Sequence, residues 1–310
     1  SARLSNCDWT DFEASRQRIF DGIRAGKKMC GALTIMSLTD DAELARKCIE
    51  IYAADKYGES MYKLWNGETY KHRRKRVAFI SADFRTHPVG YLMIGMLEKF
   101  DRKHFEITGV FTGTADGSDL WKRYRCAFDH YIDVHDKPSL EVAKLLRAME
   151  IDIAIDLSGH TEGTRLDVLS HRPCPVQMTY LGYPGSTGVP NIDFILGDDV
   201  VTPKGCESLY TEQVLRLPGT VFCYAPEENY PFPEFKKSDA QRPLTFGSFN
   251  NVPKLTPHTL QLWARVLEAV PGSRLVLKAP SFGDEAAKRA FTERLTALGV
   301  DPARVAFRGP

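Results

Sequence analysis

The sequence predicts an α/β fold: a Rossmann-like, doubly wound parallel sheet with the start of a second Rossmann-like domain, preceded by a short helical region. Three observations carry this. From Arg76 onward, short apolar runs alternate with helical patterns at the spacing of βαβ units. The run at 151–157 is largely apolar, as strands covered on both faces are. After a proline-punctuated stretch, the strand-then-helix pattern begins afresh near Leu244.

Residues 1–74 read as a helical lead-in, suited to the end of a helical repeat array that continues upstream. Asp11 can cap a helix carrying Phe12, Ile19, Phe20 and Ile23, and Gly26 sits where that helix would stop. A second helix is expected after Thr39 or Asp40, because Leu44, Cys48, Ile51 and Tyr52 recur at helical spacing.

Residues 75–223 are expected to form the first Rossmann-like domain. Strands are predicted at 77–81, 105–111, 128–134, 151–157, 176–181 and 192–196. Helices are predicted at 89–99, at 140–149 with Ser139 as N-cap, and at 164–171, stopped before Pro173. Residues 224–243 carry Pro226, Pro231, Pro233 and Pro243 and read as an interdomain connector. A second unit, 244–310, opens with a strand at 244–249. Thr256 caps its first helix, with Pro257 in the first turn. A strand at 274–278, a helix at 284–298 and a strand at 305–307 follow. The chain starts at Ser1 and ends at Pro310 just past a strand, so it is expected to be a piece truncated within this second domain. Roughly 65 residues are too few to close such a core alone.

Composition excludes several classes. The formal net charge of +1 gives no global field to recruit nucleic acid or an anionic membrane. The densest basic run, 71–76, reads either as a phosphate contact or as a solvated approach to a strand. Seven cysteines, an odd number with no CxxC pair, argue against a disulfide framework or a zinc site and fit a reducing cytoplasm. No stretch reaches the length of a membrane span.

Four segments carry polar groups at strand ends, where open α/β sheets bind ligands. The turn at 81–90 brings Asp83 and His87 close in sequence. A carboxylate and an imidazole can move a proton or orient a hydroxyl, or Asp83 can simply cap the turn. The segment 156–165 combines Gly159 and Gly163 with a helix start, suited to an anion or to an ordinary loop. The segment 181–188 frames Tyr183 with glycines and Pro184, either as a sugar-lining loop or by turn chemistry alone. In 248–257, Lys254 lies just before a helix N-terminus. It can stabilise charge on a diphosphate, or stand as a solvated lysine. There is no GxGxxG and no GxSxG, so a dinucleotide site and a hydrolase elbow lack support. No DxD triplet occurs, Asp198-Asp199 being only an adjacent pair. A metal-independent, two-domain cleft enzyme is the expectation.

Five segments in order resemble the protein O-GlcNAc transferase family, bacterial homologues and the SPINDLY-like branch included. They are CDWTD (7–11), SADFRTHPVGYLM (81–93), GHTEGTRLD (159–167), RPCPVQMTYLGYPGSTG (172–188) and FGSFNNVPKLTPHTLQLWARVLEAVPGSRL (246–275). The resemblance implies a GT-B-type fold and inverting transfer of N-acetylglucosamine from UDP-GlcNAc to Ser or Thr hydroxyls of proteins, with no metal and no other cofactor. Its partners would be a nucleotide sugar and protein acceptors, not nucleic acid or membrane. His87 and Asp83 match the acceptor-side His and Asp of the family. Leu181, Gly182 and Pro184 match the loop near the donor sugar. Lys254 matches the lysine on the diphosphate, and Asn251 replaces a nearby Gln. His87 and Lys254 are thus expected to face one crevice. Two departures stand out. Cys30-Gly31-Ala32 lies near the place of a family histidine, and the later part of the second domain, which binds the nucleotide base, is not in the chain. The piece alone is therefore expected to turn over little. The rivals are a GDP-fucose-dependent protein O-fucosyltransferase, a nucleotide-sugar epimerase, and a non-catalytic homologue acting as an interaction module.

Overall fold

The computed structural model describes residues 2–5, 8–58, 63–226 and 242–309. The chain divides into two compact units, Phe20–Tyr230 and Ser1–Ile19 with Pro231–Pro310. The contiguous lead-in expected over 1–74 is therefore split between the two. Of the expected connector at 224–243, residues 227–241 lie outside the described residues.

Among the described residues, four helices precede the first strand: α1 (Ala2–Ser5), α2 (Phe12–Arg24), α3 (Ala32–Met36) and α4 (Ala42–Tyr57). Helix α2 ends as expected at Gly26. The Gly26 N–H donates to Ile23 O and the Lys27 N–H to Gly22 O, the paired bonds of a Schellman stop. At its start Asp11 has φ +52, not the extended backbone of an ordinary side-chain cap. Helix α4 begins at Asp41, whose carboxylate accepts the Leu44 N–H at 3.0 Å.

The larger unit then runs β1 (Lys75–Ser81), α5 (Pro88–Glu98), β2 (Phe105–Phe111), α6 (Asp119–Ala127), β3 (His130–Asp133), α7 (Ser139–Ala148), β4 (Ile153–Asp156), α8 (Leu166–Ser170), β5 (Val176–Thr179), β6 (Phe194–Gly197) and β7 (Gln213–Arg216). All seven strands are parallel, in the order β3-β2-β1-β4-β5-β6-β7. The side chains of β1 show why both faces are covered. Val77 and Phe79 pack with Met93, Leu97 and Tyr124 from α5 and α6. Ala78 and Ile80 pack with Tyr57, Val142 and Leu169 from α4, α7 and α8.

The sequence reading missed α6 and β7. Ser118 was the available signal for α6, since its hydroxyl accepts the Trp121 N–H at 3.1 Å. The N-cap of α7 is Pro138, not Ser139; the Ser139 hydroxyl instead bonds the Asp167 carboxylate and takes a bond from Arg165. The basic run is tied to the amino-terminal ends of the central strands: His72 to Glu150 and Asp152, Arg74 to Glu106, and Lys75 to Asp152.

The smaller unit holds β8 (Thr245–Ser248), α9 (Pro257–Ala269), β9 (Arg274–Lys278), α10 (Glu285–Ala297) and β10 (Val305–Arg308). Its three parallel strands lie in the order β10-β9-β8, the arrangement of one Rossmann half. Thr256 caps α9, accepting the Thr259 N–H. The core of Leu260, Leu267, Leu275, Leu277, Phe282 and Phe291 is joined by a residue remote in sequence, Trp9. Its ring meets Phe291 edge-on at 5.7 Å, and the Arg294 guanidinium lies 3.9 Å from its centre. No helix of the described residues is long and apolar enough to cross a membrane.

Candidate active site

The order β3-β2-β1-β4 reverses direction between β1 and β4, so a crevice opens beyond their carboxyl ends. Two of the sequence candidates emerge there. The chain leaves β1 through Ser81, whose buried hydroxyl accepts the Asp83 N–H at 2.9 Å and turns the backbone. Asp83 is 4% exposed. His87, half-buried, follows one turn later as the N-cap of α5. The structure brings the two together, with His87 Nδ1 3.4 Å from Asp83 Oδ2.

The same Nδ1 also lies 3.3 Å from the Val89 N–H, which it can accept as a cap. One nitrogen cannot do both. With Nδ1–H donating to Asp83, Nε2 carries the lone pair and is free to take a proton. With Nδ1 capping Val89, Nε2 carries the hydrogen. The cap to Val89 is the hydrogen bond formed in this structure, and a donation to Asp83 in its place would give the tautomer with a basic Nε2. Burial pushes the Asp83 pKa up, against the opposing pull of His87 and of Arg85 at 4.0 Å, while Glu162 adds to the rise.

Beyond β4, Asp156 is 2% exposed and ties down the next loop. Its carboxylate accepts the Gly159 N–H at 2.6 Å, the Ser158 N–H at 3.3 Å and the Thr179 hydroxyl at 3.1 Å. Burial pushes its pKa up to about 6, against these hydrogen bonds.

The loop after β5 holds Leu181, Gly182 and Pro184, and three contacts shape it. A β-carbon on Gly182 would fall 2.0 Å from the Leu157 carbonyl oxygen, so only glycine lets the two loops meet. Gly159, at φ +52, lies beneath Tyr183, with a β-carbon position 2.4 Å from the Tyr183 Cβ. His160 donates from Nε2 to the Thr187 carbonyl at 2.7 Å, and its ring meets Tyr183 edge-on. Leu181 itself is left-handed, at φ +70. Farther along, the buried Glu212 accepts the Thr187 N–H at 2.7 Å and the Ser186 hydroxyl at 2.7 Å. Through Gly163, whose β-carbon position is 2.5 Å from the Ala82 side chain, the middle loop also touches the turn after β1. Asp83, His87, Leu181, Gly182 and Pro184 thus lie on neighbouring loops at one end of one sheet.

Lys254 and Asn251 belong to the other unit, in the loop after β8. Asn251 is exposed and precedes a 3-10 turn over Val252–Lys254. The Lys254 side chain is also exposed, and among the described residues its ammonium has no carboxylate partner.

Sequence reasoning missed His160, Asp156 and Glu212 as supports of these loops. Asp156 and His160 stood inside a segment flagged for its glycines. No local signal marks Glu212, which acts across 25 residues. Asp198 is 3% exposed and binds the Val200, Val201 and Val221 N–H groups, which hold its carboxyl below the usual range, so the adjacent pair at 198–199 is part of a turn. Among the described residues no three His, Cys, Asp or Glu side chains gather as metal ligands.

Known proteins resemble this chain in sequence and in fold. The profile of Glycosyl transferase family 41 matches residues 40–240. A probable UDP-N-acetylglucosamine–peptide N-acetylglucosaminyltransferase SPINDLY of Petunia hybrida is 32% identical over 252 residues, covering 79% of this chain and 26% of that protein. The Arabidopsis thaliana protein of the same description is also 32% identical, over 79% of this chain and 27% of its own length. The chain thus spans about a quarter of the length of these relatives. Among solved structures, a mutant of the Thermobaculum terrenum O-GlcNAc transferase superposes with a TM-score of 0.80 at 30% identity, over 87% of this chain and 51% of that one. That likeness bears out the α/β, GT-B-type fold class.

Proposed function

This chain belongs to glycosyl transferase family 41, and on that premise we propose that it is part of an inverting transferase moving N-acetylglucosamine from UDP-GlcNAc to Ser or Thr hydroxyls of proteins. The observation that carries the reading is the Asp83–His87 pair at the β1/β4 switch point. Inversion by direct displacement needs an acceptor oxygen that loses its proton as it attacks, and stabilisation of the departing diphosphate. His87, in the tautomer that donates to Asp83, takes the first role. Lys254, with Asn251 beside it, carries the positive charge suited to the second. Leu181, Gly182 and Pro184 line the donor sugar with backbone held rigid from beneath. No metal enters this scheme, because Lys254 supplies the positive charge. We read the helices ahead of β1 as the end of a tetratricopeptide-like array and the protein as cytoplasmic.

The test is donor consumption by the full-length protein, with UDP-GlcNAc and GDP-fucose offered separately alongside an acceptor peptide. Release of UDP with a peptide mass increase of one N-acetylhexosamine is expected. Consumption of GDP-fucose alone would overturn the donor assignment, and consumption of neither would favour an interaction module.

A further inference from the structure

Two cysteines that the proposed transfer does not use lie against each other behind the loop after β5. Cys30 stands in the irregular run just before α3, and Cys48 points from α4. Their sulfurs are 3.7 Å apart, and Cys48 Sγ is also 3.5 Å from the Cys30 carbonyl oxygen. Cys30 is partly open to solvent, whereas Cys48 is 3% exposed. Among the described residues no third ligand joins them to make a metal site.

We propose that Cys30 and Cys48 are a redox modification site, closed to a reversible disulfide by peroxide, with Cys30 attacking and Cys48 resolving. Accessibility sets the order, since peroxide reaches Cys30 and not Cys48. Hydrogen bonding reinforces it. The Cys48 S–H donates to the Cys30 carbonyl oxygen, and the hydrogen-bonding contact between the two thiols holds Cys30 below its usual range and pushes Cys48 up. In the first step the Cys30 thiolate attacks one peroxide oxygen, the O–O bond breaks, and a sulfenic acid and hydroxide form. In the second, the Cys48 sulfur attacks the sulfenic sulfur, the S–O bond breaks, and the thiol proton leaves with the hydroxyl as water. Two thiols lose two electrons in all, and peroxide is reduced to two waters.

Sulfurs at van der Waals contact must close to about 2.05 Å. Side-chain rotation and the run at 27–31, which has no regular structure, provide that movement. The bond would staple the approach to α3 onto α4. Tyr183 packs against Ala32 of α3 and Ile49 of α4, so the modification sits directly under the donor-side loop.

The experiment treats the full chain with hydrogen peroxide, blocks the remaining thiols with iodoacetamide and maps peptides without reduction. The expected product is a peptide pair joined through 30 and 48, two hydrogens lighter than its parts and released by dithiothreitol. In Cys48→Ser, dimedone should trap a sulfenic acid on Cys30; in Cys30→Ser, Cys48 should stay unlabelled. Should either variant fail to fold, the wild-type map decides alone. Oxidation confined to the exposed Cys126 and Cys223, with 30 and 48 alkylated as free thiols, would overturn the proposal. Dimedone on Cys48 in the Cys30→Ser chain would overturn the order of attack.

Discussion

The Nε2–H of His160 donates to the Thr187 carbonyl oxygen at 2.7 Å, and this one bond joins the loop that follows β4 to the loop that follows β5. Replacing His160 by Ala leaves a carbonyl without its donor and a gap beside Tyr183. A loss of about 2–3 kcal/mol in urea unfolding is expected, whereas His160→Gln, which keeps a donor, should lose less. Burial also pushes the His160 pKa down. Its contribution is therefore full above the ordinary imidazole value of about 6.5 and lost as pH falls through the lower folded value. His160→Gln should flatten that acid limb. An unchanged limb would mean that His160 is not the titrating group.

Asp156 has the opposite pH dependence. Its folded pKa is raised from 3.8 to about 6. The stability tied to its protonated form is full below pH 3.8 and lost as pH rises through about 6. Relative to Asp156→Asn, the wild-type chain should lose on the order of 3 kcal/mol between pH 4 and pH 7. The Asn variant should be weaker at low pH, because its amide cannot accept all the bonds the carboxyl does. Paired urea titrations at the two pH values check the sign, and a constant difference between the proteins would refute it.

Gly182→Ala places a β-carbon 2.0 Å from the Leu157 carbonyl oxygen, a backbone atom that cannot rotate aside. The two loops must then part, and a loss of about 3 kcal/mol or more is expected. Gly117→Ala is the control. Its β-carbon meets nothing within 4 Å, and only its φ of +70 is unfavourable. A cost of about 1 kcal/mol is expected there. Thermal melts of the two variants should rank in that order.

The catalytic assignments predict different kinetic signatures in the complete protein. His87→Ala should lower kcat by about 10²–10⁴ with KM for the donor little changed, since its proposed role is on the acceptor hydroxyl. Lys254→Ala should lower kcat by about 10²–10³ through lost stabilisation of the leaving diphosphate. Wild-type rates in both variants would defeat the assignment.

The lead-in and the smaller unit show where sequence reading stops. The helical periodicity of 12–26 is legible because apolar residues three and four apart mark one face. That Trp9 packs on Phe291 and under Arg294 is not, because those partners lie far along the chain and no local pattern links them. The short strand β7 was missed for a related reason. Its four residues carry too little alternation to stand out, and pairing with β6 is what makes them a strand.

By itself, the sequence determined the parallel α/β class, the βαβ spacing, the helix stops and the placement of Asp83, His87, Leu181, Gly182, Pro184, Asn251 and Lys254 at strand ends. Each of these follows from residue type and local spacing, which act within a few positions. Tertiary structure alone decided the strand order that puts Asp83 and His87 at a switch point, the joining of the loops through Gly182 and His160, and the contact of Cys30 with Cys48. Those depend on which distant segments share a boundary once the core is packed, and close packing sets such boundaries over the whole sheet at once.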